Sequence, residues 1–180
     1  MLLRITPVVT VRHYMNLHDL FQAMYESCLG TALAESLYVY PLVEGIHLLS
    51  LAFSFGLIVL VDFRLLGIAL PSLPVGEMLK QLRPWMIGGF TATFVTGILL
   101  MFALGPKLLA TFIFPLKLLV ILLAALNAIW FEWKFGRDQD YLTGRKDPVV
   151  SAKIAGAISL ASWSTVVVLG RLIPYFDGSF

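Results

Sequence analysis

Residues 109–131 have the sequence LATFIFPLKLLVILLAALNAIWF, in which Lys117 is the only charged side chain. A helix needs about 20 predominantly apolar residues to cross the hydrocarbon core of a bilayer. Three further stretches meet this criterion, so the chain has four predicted spans: Leu42–Val61, Trp85–Leu104, Leu109–Phe131 and Ser151–Ile173. The sequence therefore predicts an all-α protein, an integral membrane four-helix bundle.

The composition supports a location in the membrane. Hydrophobic residues make up 59% of the chain and charged residues 13%, whereas soluble domains have about 45–50% apolar and about 25% charged residues. The net charge is only +2 and the basic residues are dispersed, so we expect the lipid bilayer as a partner and no nucleic acid. Cys28 is the single cysteine, which excludes a disulfide within the chain and a thiolate metal cluster.

The predicted domain organisation is an N-terminal segment, residues 1–37, followed by the four-span bundle, residues 38–180. Apolar residues in Asn16–Leu29 recur at helical spacing, which predicts an amphipathic surface helix with Asn16 as N-cap and Gly30 at its end. We expect it to lie along the outer membrane surface or against the bundle. The residues before it lack the long apolar run of a signal peptide, so we expect them to be retained.

Predicted spans two and three are joined by little more than residues 105–108, so we expect them to pack as antiparallel neighbours. Span two also carries Gly89, Thr93 and Gly97 at four-residue spacing. Small residues at this spacing let helix backbones approach closely in a membrane. A short surface helix, Val75–Leu82, is predicted before span two.

Two runs, YPLVEGIH at residues 40–47 and DFRLLG at residues 62–67, resemble a family of uncharacterised bacterial multi-span membrane proteins and, more distantly, the copper-resistance protein D type of membrane domain. Shorter matches lie at residues 82–85, 114–117, 126–128 and 170–173. The resemblance implies no biochemical activity. It also implies a histidine shortly after the Asn127-Ala128 pair, where this chain has Glu132, so any role of that histidine is absent here.

The distribution of basic residues predicts the orientation. Eight Lys or Arg residues flank the spans on the side of the loops after spans one and three, and four lie on the opposite side. Cytoplasmic loops carry the excess of Lys and Arg. We therefore expect a multi-pass protein of the bacterial inner (plasma) membrane with both termini on the outer side.

Four ionisable residues fall in the outer half of the predicted bundle: Glu44, His47, Lys117 and Arg171. Ionisable groups inside a membrane are costly and face a partner or a cavity. One interpretation is a polar cluster whose ion pairs and hydrogen bonds align the helices. The alternative is a haem b site, with His47 as an axial ligand and the two cations on the propionates. The second ligand would be Met101, His13, His18 or a group from another subunit.

Two further interpretations use the same residues. Copper handling would use His47 as the metal ligand together with Met101, because imidazole and thioether suit Cu(I). A proton or substrate relay would use Glu44, His47 and Lys117, but four spans without internal repeats would need to oligomerise to form a transporter. On the inner side, we expect Asn127 to bridge helices through its amide.

The chain has no phosphate-binding loop, nucleophile elbow or His-Glu-x-x-His pair, so it shows no hydrolase, kinase or dehydrogenase motif. We expect it not to be an enzyme by itself. The sequence favours a non-catalytic accessory or structural subunit of a membrane assembly, with other membrane subunits or further copies of the chain as partners. The alternative is a haem b-binding or copper-handling protein that uses His47.

Overall fold

The computed structural model describes residues 16–136, 143 and 149–176, and these residues form only helices, turns and loops. The helices are α1 (Leu17–Glu26), α2 (Cys28–Ala34), α3 (Val39–Leu66), α4 (Val75–Leu104), α5 (Ile113–Phe135) and α6 (Val150–Phe176). A 3₁₀ turn, Gly105–Leu109, joins α4 to α5. Helices α3 to α6 are long and apolar enough to cross a membrane. The predicted all-α class with four spans is confirmed.

The spans pack in an order that differs from their order in the chain. Contacts run from α4 to α3, from α3 to α6 and from α6 to α5, so α4 and α5 stand at the two ends of this series. These two helices are antiparallel, because Arg83 near the start of α4 meets Glu132 near the end of α5. The predicted antiparallel direction is confirmed, but the prediction that they pack as neighbours is wrong, because α4 packs on α3 and α5 packs on α6. A short loop restrains only the two helix ends that it joins, and the remainder of each helix packs on α3 or α6 instead.

The predicted surface helix Val75–Leu82 is also wrong as a separate element, since these residues form the first turns of α4. The helix continues through Pro84, although an interior proline removes a backbone hydrogen bond and costs about 3 kcal/mol. Val75 and Met78 lie in a buried apolar cluster with Val61 and Leu65 of α3 and with residues of α5 and α6. Burial of these side chains favours continuation of the helix.

The N-terminal amphipathic segment forms two helices rather than the single helix predicted. The chain breaks at Ser27, whose Oγ accepts a hydrogen bond from Gly30 N at 3.1 Å and so caps α2. Gly30 therefore lies inside α2 and does not end a helix. Asn16 precedes α1 as predicted, and its N–H donates to Asp19 Oδ2 at 3.0 Å. The segment lies against the bundle, where the Phe21 ring meets Phe114 edge to face.

The small-residue face of α4 packs on α3. A Cβ atom built on Gly89 would overlap the hydroxyl oxygen of Ser54, and one on Gly97 would lie 3.2 Å from the His47 ring. Ser54 is fully buried at this contact. The predicted role of this face in close helix packing is confirmed, and its partner is the preceding span.

Candidate functional site

The His47 imidazole is held at the α3–α4 interface. Its Nδ1 lies 3.0 Å from the Thr93 carbonyl oxygen and 3.0 Å from Thr96 Oγ1. A carbonyl oxygen only accepts hydrogen bonds, so we assign the proton of a neutral ring to Nδ1. The Thr96 hydroxyl donates to the Ala92 carbonyl at 2.7 Å, and its oxygen can serve as a second acceptor for His47. This tautomer leaves the lone pair of Nε2 unprotonated.

A polar row continues along the same interface. Thr93 Oγ1 lies 3.2 Å from Ser50 Oγ, and Ser54 Oγ donates to the Ser50 carbonyl oxygen at 2.7 Å. His47, Ser50 and Ser54 occupy one face of α3, because their spacing of three and four residues matches the helical repeat. Hydrogen bonds between these residues and α4 favour one register of the two helices, as the structural interpretation of the polar residues requires.

The structure brings only part of the predicted outer cluster together. Lys117 lies within electrostatic range of His47, and its Nζ would lie 3.1 Å from a Cβ atom on Gly170 of α6. Arg171 is exposed. Its guanidinium donates to the Tyr175 hydroxyl at 3.1 Å and lies 5.4 Å from the centre of that ring. Arg171 therefore has a local partner on its own helix.

The proposed second ligands have different surroundings. Met101 packs beside the buried side chains of Phe21, Leu108 and Phe114, so apolar packing accounts for its position. His18 is exposed on α1, and His13 lies outside the described residues. Glu44 is half-buried on α3, one turn before His47. In the described part of the chain, no three His, Cys, Asp or Glu side chains are grouped as metal ligands would be.

A cavity of about 570 Å³ lies between α4 and α5, with α3 and α6 forming the remainder of its wall. We name it the α4–α5 cavity. Its lining is mostly apolar and aromatic and includes Phe90, Phe94, Ile98, Phe131 and Trp163. The rings of Phe90 and Trp163 have their centres 4.8 Å apart. The sequence pattern did not predict this cavity, because an apolar side chain that faces a cavity has the same composition as one that faces lipid.

Polar residues occur on the cavity wall toward the predicted cytoplasmic side. Arg83 Nη2 donates to both carboxylate oxygens of Glu132, at 2.9 and 2.7 Å, and so joins α4 to α5 at that end. The two side chains are 48% and 52% exposed. An exposed ion pair contributes at most about 1 kcal/mol. This pair therefore marks one end of the cavity but adds little to the stability of the fold.

Asn127 and Arg64 each donate a hydrogen bond to a backbone oxygen outside their own helix. Asn127 Nδ2 donates to the Ala155 carbonyl oxygen at 2.9 Å and joins α5 to α6, which confirms the predicted bridging role of its amide. Arg64 is buried, and its Nε donates to the Leu73 carbonyl oxygen at 2.6 Å. This hydrogen bond joins the end of α3 to the loop that precedes α4.

Asp62 is the most unusual group on the cavity wall. It is only 3% exposed, and the Ser159 side chain is hydrogen-bonded to its carboxyl group. Its second oxygen, Oδ2, is buried and has no hydrogen-bond partner within the described ranges. A buried polar atom without a partner costs about 1–3 kcal/mol. The sequence offered a partial signal, since Asp62 is an acid near the end of a span, but it did not indicate that this residue lines a cavity.

Comparison with known proteins adds no assignment: no family model, curated protein or solved structure matches the chain. The resemblance to the bacterial multi-span family therefore stays a prediction, and the α4–α5 cavity and the His47 surroundings carry the functional argument.

Proposed function

We propose that this integral membrane protein is a non-catalytic accessory subunit of a membrane assembly, and that it binds a lipid-soluble molecule in the α4–α5 cavity. The observation that carries the proposal is the cavity itself. Its volume of about 570 Å³ falls in the range of about 300–1,000 Å³ that is usual for ligand sites, which are mostly apolar with a few placed polar groups.

The chemistry of the wall supports binding rather than catalysis. Ionisable groups are confined to one end, where Arg83 is paired with Glu132 and Asp62 is hydrogen-bonded to Ser159. General acid–base or nucleophilic chemistry needs a base within hydrogen-bonding reach of a reacting group. No histidine, cysteine or lysine is among the described residues that line the wall. An accessory subunit that retains or delivers a membrane-soluble molecule fits this arrangement.

Filling the cavity tests the proposal. Ala128 lines it, so Ala128→Trp is expected to occupy the space that a ligand would need. Native mass spectrometry of protein extracted gently from its own membranes should show a stoichiometric bound molecule on the wild-type chain and at least a tenfold lower occupancy on the variant, roughly the effect of about 1.4 kcal/mol on binding. The same spectra should show a complex with a second membrane subunit, as an accessory role requires.

The matched control is Ile129→Trp, since Ile129 is the next residue of α5, is 65% exposed and does not line the cavity. This variant should retain the bound molecule. A wild-type chain that is extracted alone and without any bound molecule would contradict the proposal, as would equal occupancy in the two tryptophan variants.

Haem b binding is a second candidate, favoured by the His47 hydrogen bonds. A ligating histidine usually donates its other ring N–H to a carbonyl or carboxylate, and His47 Nδ1 faces the Thr93 carbonyl oxygen. Two observations weigh against it. His47 lines neither the α4–α5 cavity nor the surface pocket beside Pro74, and Arg171, expected on a propionate, is bonded to Tyr175. The candidate therefore ranks below ligand binding in the cavity.

A visible absorption spectrum tests the haem candidate. If haem is bound, protein purified from cells with ample haem should show a b-type band after reduction with dithionite, and His47→Ala should abolish it. His18→Ala is the control, because His18 is exposed on α1, and its variant should keep most of the band. Loss of the band in the control would place the second ligand on α1, and a colourless wild-type protein would exclude haem.

A further inference from the structure

Asp62 lies on the cavity wall near one end of α3. Asp62 is four residues from Leu66, the end of α3, which corresponds to about 6 Å at the helical rise. The cavity wall on α4 extends from Leu79 to Ile98, or about 28 Å by the same rise. The polar part of the wall is thus near one membrane boundary, and the apolar part lies deeper. A molecule with a polar head and an apolar body has the same arrangement.

The unpaired oxygen restricts the chemistry of that head group. Asp62 is 3% exposed, and Oδ2 has no partner in the described part of the chain. Because the terminal torsion of an aspartate is broad, we expect a small rotation to bring this buried oxygen within reach of a group in the cavity. A hydroxyl group donates to a carboxylate and accepts from a carboxylic acid, so it is a partner for Asp62 in either protonation state.

An ammonium head group fits less well. It has three N–H donors, whereas the described wall offers one carboxyl oxygen that lacks a partner. Burying the other donors among apolar side chains without acceptors would be costly. A hydroxyl group has a single donor, which Oδ2 satisfies.

We infer that the α4–α5 cavity binds an uncharged membrane amphiphile with a hydroxyl head group, which hydrogen-bonds to Asp62 while the apolar body lies between α4 and α5. This inference rests on the proposed function and specifies its ligand. Long-chain alcohols, quinols and diacylglycerols share this chemistry. The aromatic pair Phe90 and Trp163 lines the deeper part of the wall and would contact the apolar body.

Fluorescence quenching tests this inference with defined probes. The chain has four tryptophans, and replacing Trp85, Trp130 and Trp133 with phenylalanine leaves Trp163, which lines the cavity. This protein, purified in detergent, is titrated with a dodecanol brominated at mid-chain and with the corresponding bromododecane. We expect saturable quenching by the alcohol at a roughly tenfold lower concentration than by the alkane, the effect of one hydrogen bond to a charged or buried group.

Variants at Asp62 assign the difference. In Asp62→Leu the alcohol and the alkane should quench at equal concentrations, and Asp62→Asn, which keeps an oxygen and a donor, should retain part of the preference for the alcohol. Circular dichroism and size-exclusion chromatography check that each variant is folded. If a variant is not folded, the comparison of the two probes on the protein that retains Asp62 still decides the outcome.

The outcomes separate this inference from the proposed function. Saturable quenching that is equal for both probes would overturn the role of Asp62 and leave an apolar binding cavity. Absence of saturable quenching by either probe would contradict ligand binding in the cavity itself. A probe with an ammonium head that binds more tightly than the alcohol would overturn the choice of head group.

Discussion

Gly89→Leu is expected to leave little folded protein after detergent extraction, whereas Gly88→Leu should behave as the wild type does. At Gly89 even a Cβ atom would overlap the Ser54 hydroxyl and lie 3.1 Å from the Phe53 ring. Ser54 is fully buried between α3 and α4, so the larger side chain must separate the two helices. Overpacking of a filled core costs about 1–3 kcal/mol, occasionally more, and here it also disrupts the polar row beside the contact.

Gly88 is a matched control because it is adjacent in α4, and a Cβ atom there meets nothing within 4 Å. Gly88 is exposed, so a leucine would face lipid. The measurements are the monodisperse fraction in size-exclusion chromatography and the midpoint of thermal unfolding. Equal midpoints for the two leucine variants would show that α3 and α4 do not approach as closely as described. Gly89→Ala should have an intermediate midpoint, since it adds only the Cβ atom.

The second large effect is expected at Gly105, where the chain turns between α4 and α5. Its φ of 52° and ψ of −132° lie in a region that is almost restricted to glycine, and a residue forced into such a region pays about 1–3 kcal/mol. A Cβ atom on Gly105 would also overlap the side chain of Tyr25 on α1, which adds an overpacking cost of about 1–3 kcal/mol. Gly105→Ala should therefore lower the free energy of unfolding substantially and loosen α1 from the turn.

Gly67→Ala separates the two contributions. Gly67 ends α3 with φ 79° and ψ 15°, and a Cβ atom there meets nothing within 4 Å. Its substitution should therefore cost only the strain of the left-handed conformation, about 1–2 kcal/mol. Equilibrium unfolding in mixed micelles with increasing denaturing detergent measures both variants. If Gly67→Ala is as destabilising as Gly105→Ala, the contact with Tyr25 contributes nothing.

The polar residues of the spans divide into two groups with different surroundings. His47, Ser50, Thr93 and Ser54 are hydrogen-bonded across or along the α3–α4 interface, so helix alignment is sufficient to explain them. Asp62 lies instead on a cavity wall with one oxygen unpaired. Alignment does not explain that oxygen, because most buried polar atoms are hydrogen-bonded and an exception needs an explanation of its own. The best candidate for a functional residue is therefore Asp62, which lies at the opposite end of the bundle from the predicted outer cluster.

The amino-acid sequence was sufficient for the properties that depend on composition and local spacing. The four spans follow from apolar length, and the close-packing face at Gly89, Thr93 and Gly97 follows from the helical repeat. The amide of Asn127 was also predicted to join two helices, because an unsatisfied amide is costly away from water. These predictions hold whatever the order in which the helices pack.

Properties that depend on which helices are neighbours were decided by tertiary packing. The loop at residues 105–108 suggested that α4 and α5 pack together, but the close contact of α4 with α3 and of α5 with α6 leaves a cavity between them. Burial of Val75 and Met78 likewise extended α4 through Pro84. A span has apolar residues on every side, so its sequence does not distinguish a face toward lipid from one toward a cavity or another helix. The surroundings of Asp62 depend on which helices pack against α3.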